Sequence, residues 1–300
     1  MLKDLIIAHR IKLRLYWYPF YGFLKVTRVH NLIYIAFTQY VVAIFLSDNS
    51  YGKLNLLFDP ALFFLAISTA LIAAAGYIIN DYYDIKVDYI NKPERVVVGR
   101  YLRRRMALAA HSVFNFLGIG IGFLIGWKIG LINFLGAFTL WLYSNHLKRL
   151  PLLGNLCIAA LTGAAIFVIS LKFSTRNELL YLYTLMAFSV SLIREIIKDM
   201  EDLKGDEDFG SKTLPIIWGI KRTKFFIYIL SAFFLSGFFV LAESVSGTEF
   251  TLYFLVLLIP LAYFFYRLYR ADTKKEYSYL TDYCKALMFS GVLSMILFNF

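Results

Sequence analysis

An amide and two carboxylates, Asn80, Asp84 and Asp88, recur every four residues at the end of a long apolar run. On a continuing helix that spacing stacks them on one face, about 5.4 Å apart per turn. Asp81 lies beside the row, placed to orient a ligand or a water. A second acidic stretch, SLIREIIKDMEDLKGDEDFGSKTLP, carries Glu195, Asp199, Asp202 and Asp206 at offsets that again share one helical face. Gly205 and Gly210 are expected to end or loosen this helix and to let Asp206 turn inward. Glu94, Glu201 and Asp208 fit neither row and read as ordinary solvent-facing charges.

Oxygen donors at this density suit a hard divalent cation. Two carboxylate rows brought together in a low-dielectric cavity repel unless cations neutralise them. Mg²⁺ prefers six oxygens, keeps several waters and bridges carboxylates to phosphate oxygens. The expectation is a diphosphate gripped through Mg²⁺, with Asn80, Asp84, Asp88, Asp202 and Asp206 as ligands and two ions as the expected number. Arg95, Lys148, Arg149 and Lys212 are the candidate phosphate-facing cations. Arg194 and Lys198 are explained more simply as partners of Glu195 and Asp199.

The elements that carry these groups are set by composition. The chain has 300 residues, 60% hydrophobic and only 17% charged, against about 25% charged in a typical soluble protein. Repeated apolar stretches near the ~20 residues needed to cross a bilayer make it an all-α polytopic membrane protein. The net charge of +11 sits between apolar segments, with no hydrophilic domain or aromatic-interleaved basic strip, so nucleic acid is not the expected partner. Cys157 and Cys284 stand isolated in apolar sequence, forming neither a thiol pair nor a metal cluster.

Residues 1–28 mix basic and aromatic side chains without the apolar core and small-residue cleavage site of a leader, and read as an interfacial amphipathic segment. Residues 29–300 then hold nine expected crossings: 29–46, 60–80, 106–126, 130–147, 152–171, 179–199, 224–242, 251–268 and 283–299. The glycines 118, 120, 122, 126, 130 and 136 are expected to allow close helix contact, the short link at Trp127–Gly130 to make a tight antiparallel pair, and Pro260 to kink the eighth span. Lys and Arg collect in alternate loops, which puts the amino terminus and both acidic regions, around 80–105 and 199–223, on the cytoplasmic side of a cell membrane. The site would open toward the cytoplasm.

With the motifs N-D-x-x-D-x-x-x-D (Asn80, Asp81, Asp84, Asp88) and D-x-x-x-D (Asp202, Asp206, then Gly210) in this layout, the chain resembles the UbiA superfamily of intramembrane prenyltransferases over nearly its whole length. The strings NDYYDIKVDYINKPERVVVG and REIIKDMEDLKGDEDFGSKTLP look most like its branch that transfers a geranylgeranyl group to geranylgeranylglyceryl phosphate. The first string departs from that branch's R-P-x-R-P-I-P-S-G ending, with Lys92 for the first Arg and Val96 for the second Pro, while Arg95 keeps a phosphate-facing charge.

The resemblance implies a UbiA-like bundle, an isoprenyl diphosphate donor, a membrane-lipid setting and no obligatory protein partner. It also implies Tyr143 facing the allylic cation and basic residues near Lys148 and Arg149 at the diphosphate; Asp81 and Asp199, beside the acidic rows, are the further candidates for substrate contact. Asn145 and His146 can supply polar contacts at the end of span four, with an interfacial place as the plainer reading of His146, and Asn31 can bind acceptor or diphosphate, with helix packing as its plainer reading. Relatives with aromatic acceptors, such as hydroxybenzoate, homogentisate or naphthoate, share the metal motifs and stay open as an alternative. A transporter is the contrasting class, disfavoured because the carboxylates gather at one membrane face with no acidic continuation across it.

Overall fold

The computed structural model describes residues 20–47, 52–175, 177–244 and 248–296, so of the expected interfacial segment residues 1–19 lie outside the described residues. All long elements are helices: α1 (Val29–Leu46), α2 (Pro60–Asn91), α3 (Arg104–Ile125), α4 (Trp127–Asn145), α5 (Leu153–Phe167), α6 (Asn177–Glu201), a short α7 (Leu203–Asp208), α8 (Leu214–Ser244), α9 (Thr248–Arg270) and α10 (Lys274–Ser294). Among the described residues each of the nine expected crossings is occupied by one long helix. Six of these are long and apolar enough to cross a bilayer by length and composition: α1, α2, α3, α5 with its 3₁₀ extension to Leu171, α6 and α8. The chain is thus a multi-pass, all-α membrane protein.

The chain divides into two compact units. One holds the described residues up to Ala36 with Ile67–Asn145, the other Phe37–Ala66 with His146 onward. In the first unit α3 and α4 form the expected antiparallel hairpin. Its closest approach is at Gly122 and Gly130, where a Cβ on Gly122 would stand 3.1 Å from Gly130 Cα and 2.6 Å from the Asn133 amide. Asn133 in turn donates to the Gly118 carbonyl at 2.9 Å. Gly118 also sits against α2, where a Cβ would meet Ile72 at 2.8 Å and the Ser68 carbonyl at 3.0 Å. Gly120 and Gly126 correct the expectation made for the whole glycine set: nothing lies within 4 Å of a Cβ at either, since they point away from the seam.

In the second unit α6 is the central helix, packed against α5, α8 and α10. Its apolar face, with Leu192, Ile193, Ile196, Ile197 and Met200, is buried against residues of those neighbours such as Ala159, Ile227, Leu280 and Cys284. α9 runs as one helix through Pro260, whose carbonyl accepts from the Tyr283 hydroxyl at 3.0 Å. α8 bends at Gly219, φ 76°, a left-handed position that glycine adopts without steric cost. Lys224, at the start of the seventh expected span, is buried. It donates to the carbonyls of Tyr269 and Ala271 and to Asp272, fastening the turn between α9 and α10.

Candidate active site

The first acidic row stands on a single uninterrupted helix. α2 extends eleven residues beyond the expected end at 80, as far as Asn91, so Asn80, Asp84 and Asp88 keep their one-face spacing. Asp81 is fixed from outside this helix: the Arg28 guanidinium donates to its Oδ1 at 2.8 Å. Arg28 also lies over the Tyr77 ring, 4.8 Å from its centroid, and Tyr77 accepts from the Asn31 side chain at 3.3 Å. Burial works against the charge of Arg28, but Asp81 and Tyr77 outweigh it, and the guanidinium holds its proton more firmly than an ordinary arginine. Asn31 is thus tied to Tyr77, beside the Arg28–Asp81 pair. Arg28, explained from sequence only as an orientation charge, proves to be the residue that orients Asp81.

Beyond α2 the chain makes a 3₁₀ turn, Pro93–Arg95, which Arg95 ends. Val96, Val97 and Val98 follow, all buried, with Val97 and Val98 packed on Val26, Ile78, Leu102 and Ala107. The valines that depart from the family string therefore serve as core for the loop. At the end of α4, Tyr143 is half-buried, and Asn145 and His146 are exposed.

The second acidic row corrects the continuous-helix expectation. α6 stops at Glu201, and Asp202 leaves helical geometry at φ −95°, ψ 8° to start α7. The break is shallow: Asp202 N–H still bonds the Lys198 carbonyl at 2.9 Å and Asp206 N–H the Asp202 carbonyl at 3.2 Å. Asp202 and Asp206 therefore remain one turn apart. Gly205 does not end the helix but is buried inside α7. Gly210 does the ending, at φ 71°, with Gly210 N–H on the Glu207 carbonyl at 3.0 Å and Ser211 N–H on the Asp206 carbonyl at 2.9 Å. That pair of bonds is the Schellman termination, which needs a left-handed residue where the glycine stands.

Around this turn the other charges are accounted for. Glu195 is buried between Arg194, which it pairs with directly, and Lys198 at 3.7 Å. Asp199 accepts from Asn155 of α5 at 2.9 Å. Asp208 and Glu94 are exposed as expected, but Glu201 is only 6% exposed. The solvent-facing reading of Glu201 fails because α6 is packed on three neighbours and has little free face even at its end.

The basic pair adjoins the same turn. Lys148 and Arg149 lie on a 3₁₀ turn, Leu147–Arg149, and the Arg149 carbonyl accepts from the Lys212 N–H at 2.8 Å. One backbone hydrogen bond thus brings three of the four candidate cations to the loop that follows Asp206. Lys148 is half-buried, while Arg149 and Lys212 are exposed. The chain then reverses with Leu152 at φ 63°. Gly154 lets α5 press onto the basic turn, for a Cβ there would stand 2.8 Å from Lys148 Cα and 3.0 Å from the Leu147 carbonyl. Sequence reasoning passed over Gly154 and Asn155; their one signal was a small residue and an amide directly after the basic loop.

Among the described residues no three His, Cys, Asp or Glu side chains form a ready-made metal cage. That donor set still fits Mg²⁺, which is commonly held by one or two carboxylates with substrate phosphates and waters completing six oxygens. Each acidic row offers such a pair, all-oxygen and one helical turn apart.

Comparison with known proteins adds an independent line. The description "UbiA prenyltransferase family" fits residues 36–290. The digeranylgeranylglyceryl phosphate synthase of Saccharolobus solfataricus is 30% identical over 280 residues, 92% of this chain and 96% of that protein. The synthase of the same name from Thermococcus gammatolerans is 35% identical over 215 residues, 71% and 73% of the two chains. Among solved structures, one of a digeranylgeranylglyceryl phosphate synthase superposes with a TM-score of 0.71 at 23% identity, covering 94% of this chain and 98% of that one. A UbiA homologue from Archaeoglobus fulgidus bound to GPP and Mg²⁺ gives 0.66 at 17% identity, covering 92% and 99%. The structural matches carry the fold.

Proposed function

This chain belongs to the UbiA prenyltransferase family, and we propose that it transfers a geranylgeranyl group from geranylgeranyl diphosphate to the glycerol hydroxyl of geranylgeranylglyceryl phosphate. The products are an ether lipid and diphosphate. The Saccharolobus solfataricus protein that it resembles over 92% of its length is named as the synthase of that product. The observation that carries the chemistry is the backbone bond from Lys212 to Arg149, which joins cations suited to phosphate oxygens to the turn bearing Asp202 and Asp206.

In this reading Asn80, Asp84, Asp88, Asp202 and Asp206 are the residues that would hold Mg²⁺, with two ions the expected number. When bound, Mg²⁺ supplies charge neutralisation for the departing diphosphate. Arg95, Lys148, Arg149 and Lys212 take phosphate oxygens, and Asp81 and Asp199 border the substrate. As the donor carbon–oxygen bond breaks, the prenyl carbon gains cationic character, which the electron-rich face of Tyr143 favours. The acceptor oxygen forms the new bond, and its proton passes to a carboxylate or a diphosphate oxygen. Apolar helices exclude the water that would otherwise quench the cation. All nine long helices cross the membrane, the amino terminus is cytoplasmic and the site opens to that side; the alternation of basic loops supports this. Cysteine labelling of sealed cells at Lys92 and Lys53, from loops on opposite sides, tests it.

The function is tested with purified protein, Mg²⁺, geranylgeranyl diphosphate and a panel of geranylgeranylglyceryl phosphate and aromatic acids, with products weighed by mass spectrometry. The ether lipid is expected, and an aromatic adduct without ether overturns the acceptor assignment. Asp84→Asn and Asp202→Asn should each lower kcat at least about 100-fold, and the double variant should be little worse, since groups acting on one diphosphate are non-additive. Near-normal transfer by both single variants rejects the ligand set.

A further inference from the structure

We propose that Asn155 is a positioning residue for the second aspartate pair, acting through Asp199; this rests on the function proposed above. Asn155 stands in the first turn of α5, 6% exposed, and its amide nitrogen donates to Asp199 Oδ2 at 2.9 Å. Asp199 belongs to the last turn of α6, immediately before the helix gives way at Asp202. A helix end frays unless something outside the helix holds it, and here the hold is a side-chain hydrogen bond from a neighbouring helix.

The bond is one link in a closed circuit. From Asp199 the circuit passes to Asn155, then through Gly154 to the turn Leu147–Arg149, on which α5 is pressed with no room for a Cβ. From the Arg149 carbonyl it passes to Lys212 N–H at 2.8 Å, and through the Schellman turn at Gly210 back to Asp206 and Asp202. Acidic pair and basic pair are therefore held at a fixed separation by a ring of contacts. Its other links are backbone or packing, and the Asn155–Asp199 bond is a side-chain contact that one substitution can remove. Loss of a contact made directly to a metal-binding carboxylate commonly weakens metal affinity about 10- to 100-fold; Asn155 acts one residue further out, through Asp199, so the lower end of that range is expected.

The test is titration calorimetry of the full-length purified chain with Mg²⁺ and inorganic diphosphate, alongside thermal unfolding in EDTA. Asn155→Ala should weaken Mg²⁺–diphosphate binding about tenfold with little change in the EDTA melting point, and Asn155→Ser, which keeps a donor, should recover part of the loss. Equal weakening by both variants, or a lowered melting point with wild-type binding, overturns the inference. Should Asn155→Ala fail to fold, Asn155→Gln carries the test: it keeps the amide on a longer arm, so a folded protein with weakened binding supports positioning and wild-type binding overturns it. Asp202→Asn separates the two layers of the argument. If Asp202→Asn binds like wild type, the proposed ligand set fails; if Asp202→Asn loses binding while Asn155→Ala does not, only the role of Asn155 fails.

Discussion

Replacing Gly154 with alanine asks whether the spacing between the basic turn and α5 matters to transfer. The new Cβ would lie 2.8 Å from Lys148 Cα, 3.0 Å from the Leu147 carbonyl and 3.2 Å from Lys148 N, all main-chain atoms that no rotamer change can move aside. Reaching ordinary contact at about 3.4 Å requires a shift of about 0.6 Å between helix and turn. Overpacking of that kind costs about 1–3 kcal/mol. A 1 Å misplacement at a reacting centre can cost about 100-fold in rate, so a shift of this size predicts a loss of about 10-fold if Lys148 and Arg149 meet the diphosphate. Gly120→Ala is the control: Gly120 is exposed within α3 with nothing within 4 Å, and alanine there favours the helix by about 0.5–1 kcal/mol. The assay is initial-rate ether-lipid formation with saturating substrates, with thermal unfolding of each variant. The reasoning is refuted if Gly154→Ala transfers and melts like wild type, or if Gly120→Ala is impaired as much.

Arg28→Gln should lose the hold on Asp81: about 1 kcal/mol for a pair whose arginine is more than a third exposed, and about 0.5–1 kcal/mol for the contact with Tyr77. Together these predict a loss of up to about 2 kcal/mol of stability, read as a lowered melting point, and a lowered kcat/KM for the diphosphate donor through the released Asp81, with Arg28→Lys in between because lysine keeps the charge but not the planar fork; unchanged kinetics in both would remove Arg28 from the site. At the start of α10, Thr273 and Glu276 cap each other, and three hydrogen bonds from Asp272 and Thr273 hold the Glu276 carboxyl down at about 2. A lowered carboxyl stabilises the fold above its ordinary value, and that contribution is lost as pH falls toward 2. The difference in melting point between wild type and Glu276→Gln should therefore be constant above about pH 4.5 and shrink only below it; a difference already shrinking between pH 7 and 5 contradicts the cap.

The sequence alone determined the solvent, the helical class and the two carboxylate rows, because these depend on local quantities: apolar run length, a four-residue period, and where lysines and arginines interrupt it. The spacing of Asn80, Asp84 and Asp88 suited a helix continuing past the expected span end at 80, and the structure carries it to Asn91. What pairs with those rows was not legible, since a side chain's partner across 44 or 53 residues depends on how helices pack. Only the tertiary structure gave Arg28 to Asp81 and Asn155 to Asp199, buried Glu201, and separated the glycines at the α3–α4 seam from Gly120 and Gly126. The break at Asp202 is of the same kind. The sequence placed the loosening of this helix at Gly205 or Gly210, and the structure puts the break at Asp202 and the end at Gly210. Periodicity reports which face a residue occupies; packing decides what that face meets, and the chemistry of a carboxylate depends on what it meets.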